Sequence, residues 1–245
     1  MKTIPYLFKN RDTGPSSKIL LYHAVCEDRD FPSSAGTNVS PEMFERQLRH
    51  VSSRFSVISL DTMLDEKKEN DGNAIAITFD DGYEDSYENA LPVLKKYGLP
   101  VAFFLTVSQI GKDWDFPRGS YPGLSWEQVR EIAQDPLIEI GSHGLRHGDL
   151  TKLSLREAEA EIRSSRVMLE EKLGRPVQYF SYPYGSFSER IKELVRQSNY
   201  RAGFSVISHN PEMYSLRRIL ISRKDTLFRF IIKLSPLYWP LRRII

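Results

Sequence analysis

Residues 74–83 read Ala74-Ile75-Ala76-Ile77-Thr78-Phe79-Asp80-Asp81-Gly82-Tyr83. An apolar run this rich in Ile and Ala predicts a strand buried on both faces. It ends in two adjacent carboxylates and a glycine. Neighbouring side chains on a strand point to opposite faces, so two adjacent acids serve one site only where the chain leaves the strand, and Gly82 permits that turn. Buried carboxylates are costly unless each has a task. A metal ligand beside a proton acceptor is one division of labour such a pair supports.

Working outward, Glu139-Ile140-Gly141-Ser142-His143-Gly144-Leu145-Arg146-His147 sets two imidazoles four residues apart. One helical turn or a tight loop brings that spacing to a single face. Two histidines and one aspartate make a three-donor set with open positions, as catalytic zinc and iron sites require. The zincin signature does not apply, because it needs glutamate directly after the first histidine and Gly144 stands there.

Around these stretches strands and helices alternate. Residues 18–23 predict a first strand ending in His23. Ser40-Pro41-Glu42 starts a helix, with Ser as cap and Pro at the first helical position. A short strand over 55–60 and a solvated turn over 67–72 precede the Asp80-Asp81 strand. The following helix, 87–97, contains Pro92, so its regular part is expected near Leu91, with Gly98 closing it. Strands follow over 101–105, 137–140, 177–182, 202–207 and 216–222. Helices follow over 126–132, 154–173, 188–197 and 226–234. The long segment 108–124 has the character of a lid. Such alternation predicts an α/β fold of parallel strands with crossover helices. His23, Asp80, Asp81, His143 and Tyr184 all fall at or just after strand ends, which in a barrel is the catalytic face.

The size, 245 residues with 40% hydrophobic and 27% charged, suits one domain of barrel dimensions. Lys and Arg total 34 against 32 Asp and Glu, a balance that argues against a nucleic-acid partner. Cys26 is the single cysteine, so no intramolecular disulfide forms. With no stretch of signal-peptide character and none of spanning length, the expected location is cytoplasmic.

Three motifs resemble, in order, those of polysaccharide deacetylases, the NodB homology domain of the carbohydrate esterases: Thr78-Phe79-Asp80-Asp81-Gly82, His143 with His147, and Phe180-Ser181-Tyr182-Pro183-Tyr184-Gly185. Tyr22-His23 and Leu124-Ser125-Trp126 add supporting matches. The resemblance implies a distorted (β/α) barrel of about seven strands over residues 18–225. An extension over 1–17 would precede it, and a C-terminal amphipathic helix and tail, 226–245, would follow. It implies a divalent metal, zinc first and cobalt or manganese as alternatives, held by Asp81, His143 and His147, with Asp80 as general base. The activity implied is removal of N-acetyl groups from N-acetylhexosamine units of a polysaccharide or glycan precursor, in exopolysaccharide or cell-envelope metabolism. The oxyanion would rest on the metal and on the backbone N–H of Tyr184, beside Pro183. Hydrolysis of another small amide on the same barrel, or a non-catalytic glycan-binding relic, are the alternatives.

The chain departs from the family pattern in three places. Gly144 stands where Ser or Thr is usual. Ser181 stands where an arginine often orients the base, and Arg218, near a later strand end, is the candidate replacement. The late Leu-x-His motif that carries the general acid is matched weakly by Val206-Ile207-Ser208-His209. In circularly permuted branches that histidine lies on the first strand, and Leu21-Tyr22-His23 fits this pattern better. His23 is therefore the expected acid that protonates the leaving amine, with His209 second.

Trp126 has two readings, a platform for a sugar ring or an anchor for its helix, and Tyr83 and Tyr121 share them. Glu159, Glu161, Arg163 and Arg166 read as a solvated helix face, and His50 as structural. The C-terminal segment, Leu227-Phe228-Arg229-Phe230-Ile231-Ile232-Lys233-Leu234 and the aromatic, cationic residues after it, reads either as a closing helix with a packed tail or as a membrane-surface contact.

Overall fold

The computed structural model describes residues 18–65, 73–235 and 238. The expected extension over 1–17, the turn over 67–72 and the tail beyond Ser235, apart from Tyr238, lie outside the described residues.

Eight strands form the main sheet: β1 Lys18–Tyr22, β2 Ala74–Phe79, β3 Val101–Leu105, β4 Ile138–Ser142, β5 Tyr179–Ser181, β6 Ala202–Ser205, β7 Leu216–Arg217 and β8 Ile219–Leu220. They pair in parallel in the order β7-β6-β5-β4-β3-β2-β1-β8. Only Arg218 separates β7 from β8. The first half of that segment pairs with β6 and the second with β1, so one stretch of chain joins both edges into a nearly closed barrel. This division is why eight strands appear where about seven are expected. A two-residue strand, Ser56–Val57, pairs with β2 outside this path.

The helices of seven residues or more are α1 Pro41–Arg54, α2 Leu91–Tyr97, α3 Trp126–Ile132, α4 Leu155–Leu173, α5 Glu189–Gln197 and α6 Leu227–Leu234. Their starts follow the sequence signals. Ser40 accepts from Met43 N–H ahead of Pro41, and Ser154 with Glu157 forms a capping box. Pro92 falls in the first turn of α2, where its missing N–H costs nothing. The residues before it, Ser86–Ala90, form a π turn, a feature concentrated at functional sites.

Alternation along the strands divides the barrel in two. Leu20, Tyr22, Ile75, Ile77, Phe79, Phe103 and Ile140 face the helices and build the main core. Ile19, Ala76, Ala102, Phe104, Tyr179, Ala202 and Phe204 face inward and form a separate interior cluster. Gly141 makes room for the Phe104 ring, whose edge lies 2.5 Å from where a β-carbon would sit. At the N-terminal end of the barrel, Glu139 accepts from the N–H groups of Leu60 (2.8 Å) and Asp61 (2.9 Å).

Register then sets the catalytic face. Tyr22 lies opposite Phe79, Leu105 opposite Ser142, and Ser142 opposite Phe180. The next residues along, His23 beside Asp80 and His143 beside Ser181, therefore emerge as two neighbouring pairs from the same end of the barrel. The expected lid contains an antiparallel hairpin, Asp113–Phe116 with Gly119–Pro122. Its Trp114 and Tyr121 are buried against Phe31 and Tyr83.

Candidate metal centre and catalytic site

Asp80 continues the inward alternation of Ala76 and Thr78, which points it into the barrel. By the same alternation Asp81 would point away. It does not, because Asp81 has φ 72° and Gly82 has φ 85°. Two successive left-handed residues, one of them not glycine, swing the second carboxylate back over the barrel end. Such strain persists where the surrounding structure enforces it.

His143 follows β4 directly, and its Nδ1 lies 2.9 Å from the Ser181 carbonyl. That contact fixes the tautomer and frees Nε2 for the site. The two histidines are joined by an irregular loop rather than a helical turn, with Gly144 at φ 82° and His147 at φ 58°. Glycine at 144 adopts this left-handed conformation without the strain a side chain would bring. His143 Nε2 and His147 Nε2 stand 3.4 and 3.2 Å from Asp81 Oδ1. One donor atom from each of the three residues falls within 4.8 Å of the others. Asp81 Oδ1 is buried with no hydrogen-bond partner. Two imidazole nitrogens converging on an unpartnered buried carboxylate oxygen fit a divalent cation of the zinc class.

Asp80 is held separately. Arg218 grips it with both terminal nitrogens: Nη1 to Oδ1 is 2.7 Å and Nη2 to Oδ2 is 2.5 Å. Ser181 Oγ donates to Asp80 Oδ2 at 2.8 Å and accepts from Arg218 Nη2 at 2.6 Å. Arg218 also donates to Thr78 Oγ1 and lies over the Phe104 ring. It is only 2% exposed. Burial alone would raise the Asp80 carboxyl. The Arg218 charge, then that of His143, outweighs burial and holds Asp80 below the usual carboxylate range. Asp80 is thus an ionised acceptor beside the metal donors, with its Oδ2 3.8 Å from His143 Nε2.

His23 emerges level with Asp80, and burial lowers its pKa against the pull of Asp81 and Asp80. His209 is exposed in the loop after β6, where its carbonyl accepts from Arg217. Tyr184, φ 60°, is 63% exposed beside buried Pro183, and its ring centroid is 4.8 Å from that of His147.

The structure separates the two readings of Tyr83, Tyr121 and Trp126 and corrects the solvated reading of Glu161. Tyr83 and Tyr121 are buried in the aromatic cluster under the hairpin, so neither offers a face to a sugar. Trp126 packs against the main core with Lys172 over its ring. Among the described residues no ring contact links it to the histidines. Glu161 is not solvated. It is buried and accepts from Leu145 N–H (3.1 Å), Arg146 N–H (2.8 Å) and Arg146 Nε (2.7 Å). It thereby pins the loop between the two histidines. Only its place on the inward face of α4, one residue before Ile162, could have flagged it. Trp114, unremarked in sequence, stacks edge-on to His147 at 5.3 Å.

The sequence model described as polysaccharide deacetylase matches residues 67–203, more than half the chain and the span holding every metal donor. The chain belongs to the polysaccharide deacetylase family. Among relatives of this deacetylase, YxkH of Bacillus subtilis (strain 168), named for the same family, is 28% identical over 212 residues, covering 83% of this chain and 71% of its own. A poly-β-1,6-N-acetyl-D-glucosamine N-deacetylase of Staphylococcus aureus (strain MSSA476) is 28% identical over 214 residues, covering 80% and 71%. The solved structure of IcaB from Ammonifex degensii superposes with a TM-score of 0.77 at 25% identity, covering 91% of this chain and 98% of that one.

Glu161 yields a first expected result for the deacetylase. Glu161→Ala removes the acceptor from two half-buried N–H groups in the loop between the histidines, and metal affinity is expected to fall about 10- to 100-fold, as for other supporting residues of metal sites. Competition against a chromophoric chelator measures this, and unchanged affinity would refute the assignment.

Proposed function

We propose that this deacetylase removes acetyl groups from N-acetylglucosamine units of an exopolysaccharide, with poly-β-1,6-linked chains the first substrate to test. The observation that carries the reading is the pairing of two separate devices at one barrel end. Asp81, His143 and His147 form a metal-donor set, and Asp80 is an ionised base caged by Arg218 and Ser181. The substrate choice is supported by the names of the relatives.

Asp81, His143 and His147 would hold the divalent metal, zinc first and cobalt or manganese as alternatives. When bound, the metal supplies Lewis-acid activation of water and of the acetyl carbonyl. Asp80 takes the proton of the attacking water. Arg218 and Ser181 keep both its oxygens oriented and ionised for that step. The Tyr184 backbone N–H, beside Pro183, is assigned to the carbonyl oxygen as charge develops there. His23 delivers a proton to the sugar amine as the C–N bond breaks, so the products are acetate and a free amine.

The test is metal analysis joined to acetate release from poly-β-1,6-N-acetylglucosamine fragments and chitooligosaccharides. About one metal per chain and chelator-sensitive release from the β-1,6 series are expected. Release only from the chitin series would replace the substrate. No release after zinc is restored would overturn the reading.

A membrane surface is the proposed place of work. Phe228 is 72% and Ile231 39% exposed on α6, with exposed Arg229 between them, an arrangement suited to an anionic lipid interface. Among the described residues no helix is long and apolar enough to cross a membrane. Flotation with anionic liposomes is expected to carry the protein and to lose the Phe228→Ser/Ile231→Ser variant. Equal flotation of both would sink the idea.

A further inference from the structure

The expected acid, His23, has an unusual support. Its Nδ1 is buried and has no hydrogen-bond partner among the protein groups. A catalytic histidine is ordinarily oriented by a carboxylate or carbonyl at its second nitrogen. Here that role falls to the backbone that carries the ring.

That backbone is clamped two residues further on. Ala24–Val25 pairs on one edge with Asn38–Val39. Among the described residues no strand covers its other edge. Side chains stand in for one. Val25 N–H donates to Asp85 Oδ2, and the Val25 carbonyl accepts from Asn89 Nδ2 at 2.8 Å. The N–H and C=O of one strand residue point the same way, so the two contacts imitate a neighbouring strand's backbone. Asp85 and Asn89 are four residues apart on the turn just after Asp80-Asp81, Asp85 just before the π turn Ser86–Ala90 and Asn89 within it. Asp85 is buried, and its carboxyl also accepts from the Tyr121 hydroxyl.

We infer that Asp85 and Asn89 are positioning residues for His23, locking the acid's strand to the segment that carries the base and the metal aspartate. The inference rests on reading His23 as the acid. The Asp80 N–H already donates to the Tyr22 carbonyl at 3.0 Å on one side of His23, and the clamp holds the chain on its other side, through contacts that touch no substrate. Burial pushes the Asp85 carboxyl up to about 7, and an asparagine of the same shape still presents an oxygen that accepts from the Val25 N–H.

The experiment compares two acetyl donors in the metal-loaded enzyme. An acetamidosugar needs its leaving amine protonated, whereas p-nitrophenyl acetate releases a stable phenolate without an acid. His23→Asn is expected to lose amide turnover selectively by at least ~100-fold. Asp85→Ala and Asn89→Ala are expected to lose it about 10- to 100-fold, with aryl-ester turnover and metal content close to wild type. Asp85→Asn, which keeps an acceptor for Val25 N–H, is expected to retain most amide activity. If His23→Asn is selective but the clamp variants are neutral, or lose both substrates in parallel, the inference fails and the acid assignment stands. If His23→Asn itself reduces both substrates alike, the acid assignment fails and the inference with it.

Discussion

Asp80→Asn is expected to keep its metal and lose its turnover. The amide occupies the same space and still accepts one hydrogen bond from Arg218, but it takes no proton. General base catalysis contributes about 10²- to 10⁴-fold, and a loss of that size in kcat is expected. Metal content should stay near wild type, because the donors are Asp81, His143 and His147 and Asp80 is not among them. A binding-only glycan module would make no use of an ionised carboxylate caged by Arg218 and Ser181, so this variant separates enzyme from relic. Turnover within tenfold of wild type would remove Asp80 from the reaction. Loss of metal together with turnover would instead mean that the two carboxylates form a single site.

Much of this was legible in residues 74–83 and 139–147. The buried strand, the turn at Gly82 and a candidate donor set of one aspartate and two histidines follow from short runs of chain, and the family resemblance singled out Asp81 as the aspartate of that set. What stayed hidden depends on distant segments meeting. Tyr83 follows the aspartates directly and reads equally as a sugar platform or as a packed anchor. Only the hairpin, folding Trp114 and Tyr121 over it, shows it to be buried. Glu161 shares its helix with exposed charges and reads like them, because the loop it pins is anchored by a different strand. Arg218 could be named as a candidate from its place near a strand end. That it would grip both oxygens of Asp80 depends on the split of the last strand, which turns Arg218 inward between β6 and β1.

Arg218→Met should produce a large loss of stability. It leaves Asp80 buried without its cation, and breaking a buried pair from one side costs about 3–5 kcal/mol. In a domain of this size that lowers Tm by roughly 10 °C. The pH dependence gives the cause. In the wild type, Asp80 is held below the usual carboxylate range, so it contributes stability above about pH 4 that is lost as pH falls through its folded value. Without Arg218, burial dominates and raises Asp80 instead, so the variant loses stability as pH rises. The gap between the two proteins should therefore widen from acid to neutral pH, which calorimetry of the metal-free forms at several pH values would measure. A gap independent of pH would show that packing around Phe104, not charge, is what Arg218 supplies. The double variant Arg218→Met/Ser181→Arg then returns a guanidinium from the position where the family often carries it. Ser181 already contacts the same Asp80 oxygen, so a cation entering from β5 has the acceptor within reach. Partial recovery of both Tm and acetate release is expected. If stability returns but activity does not, the direction from which the arginine approaches Asp80 governs the base's aim, and Ser181 and Arg218 act as a matched pair.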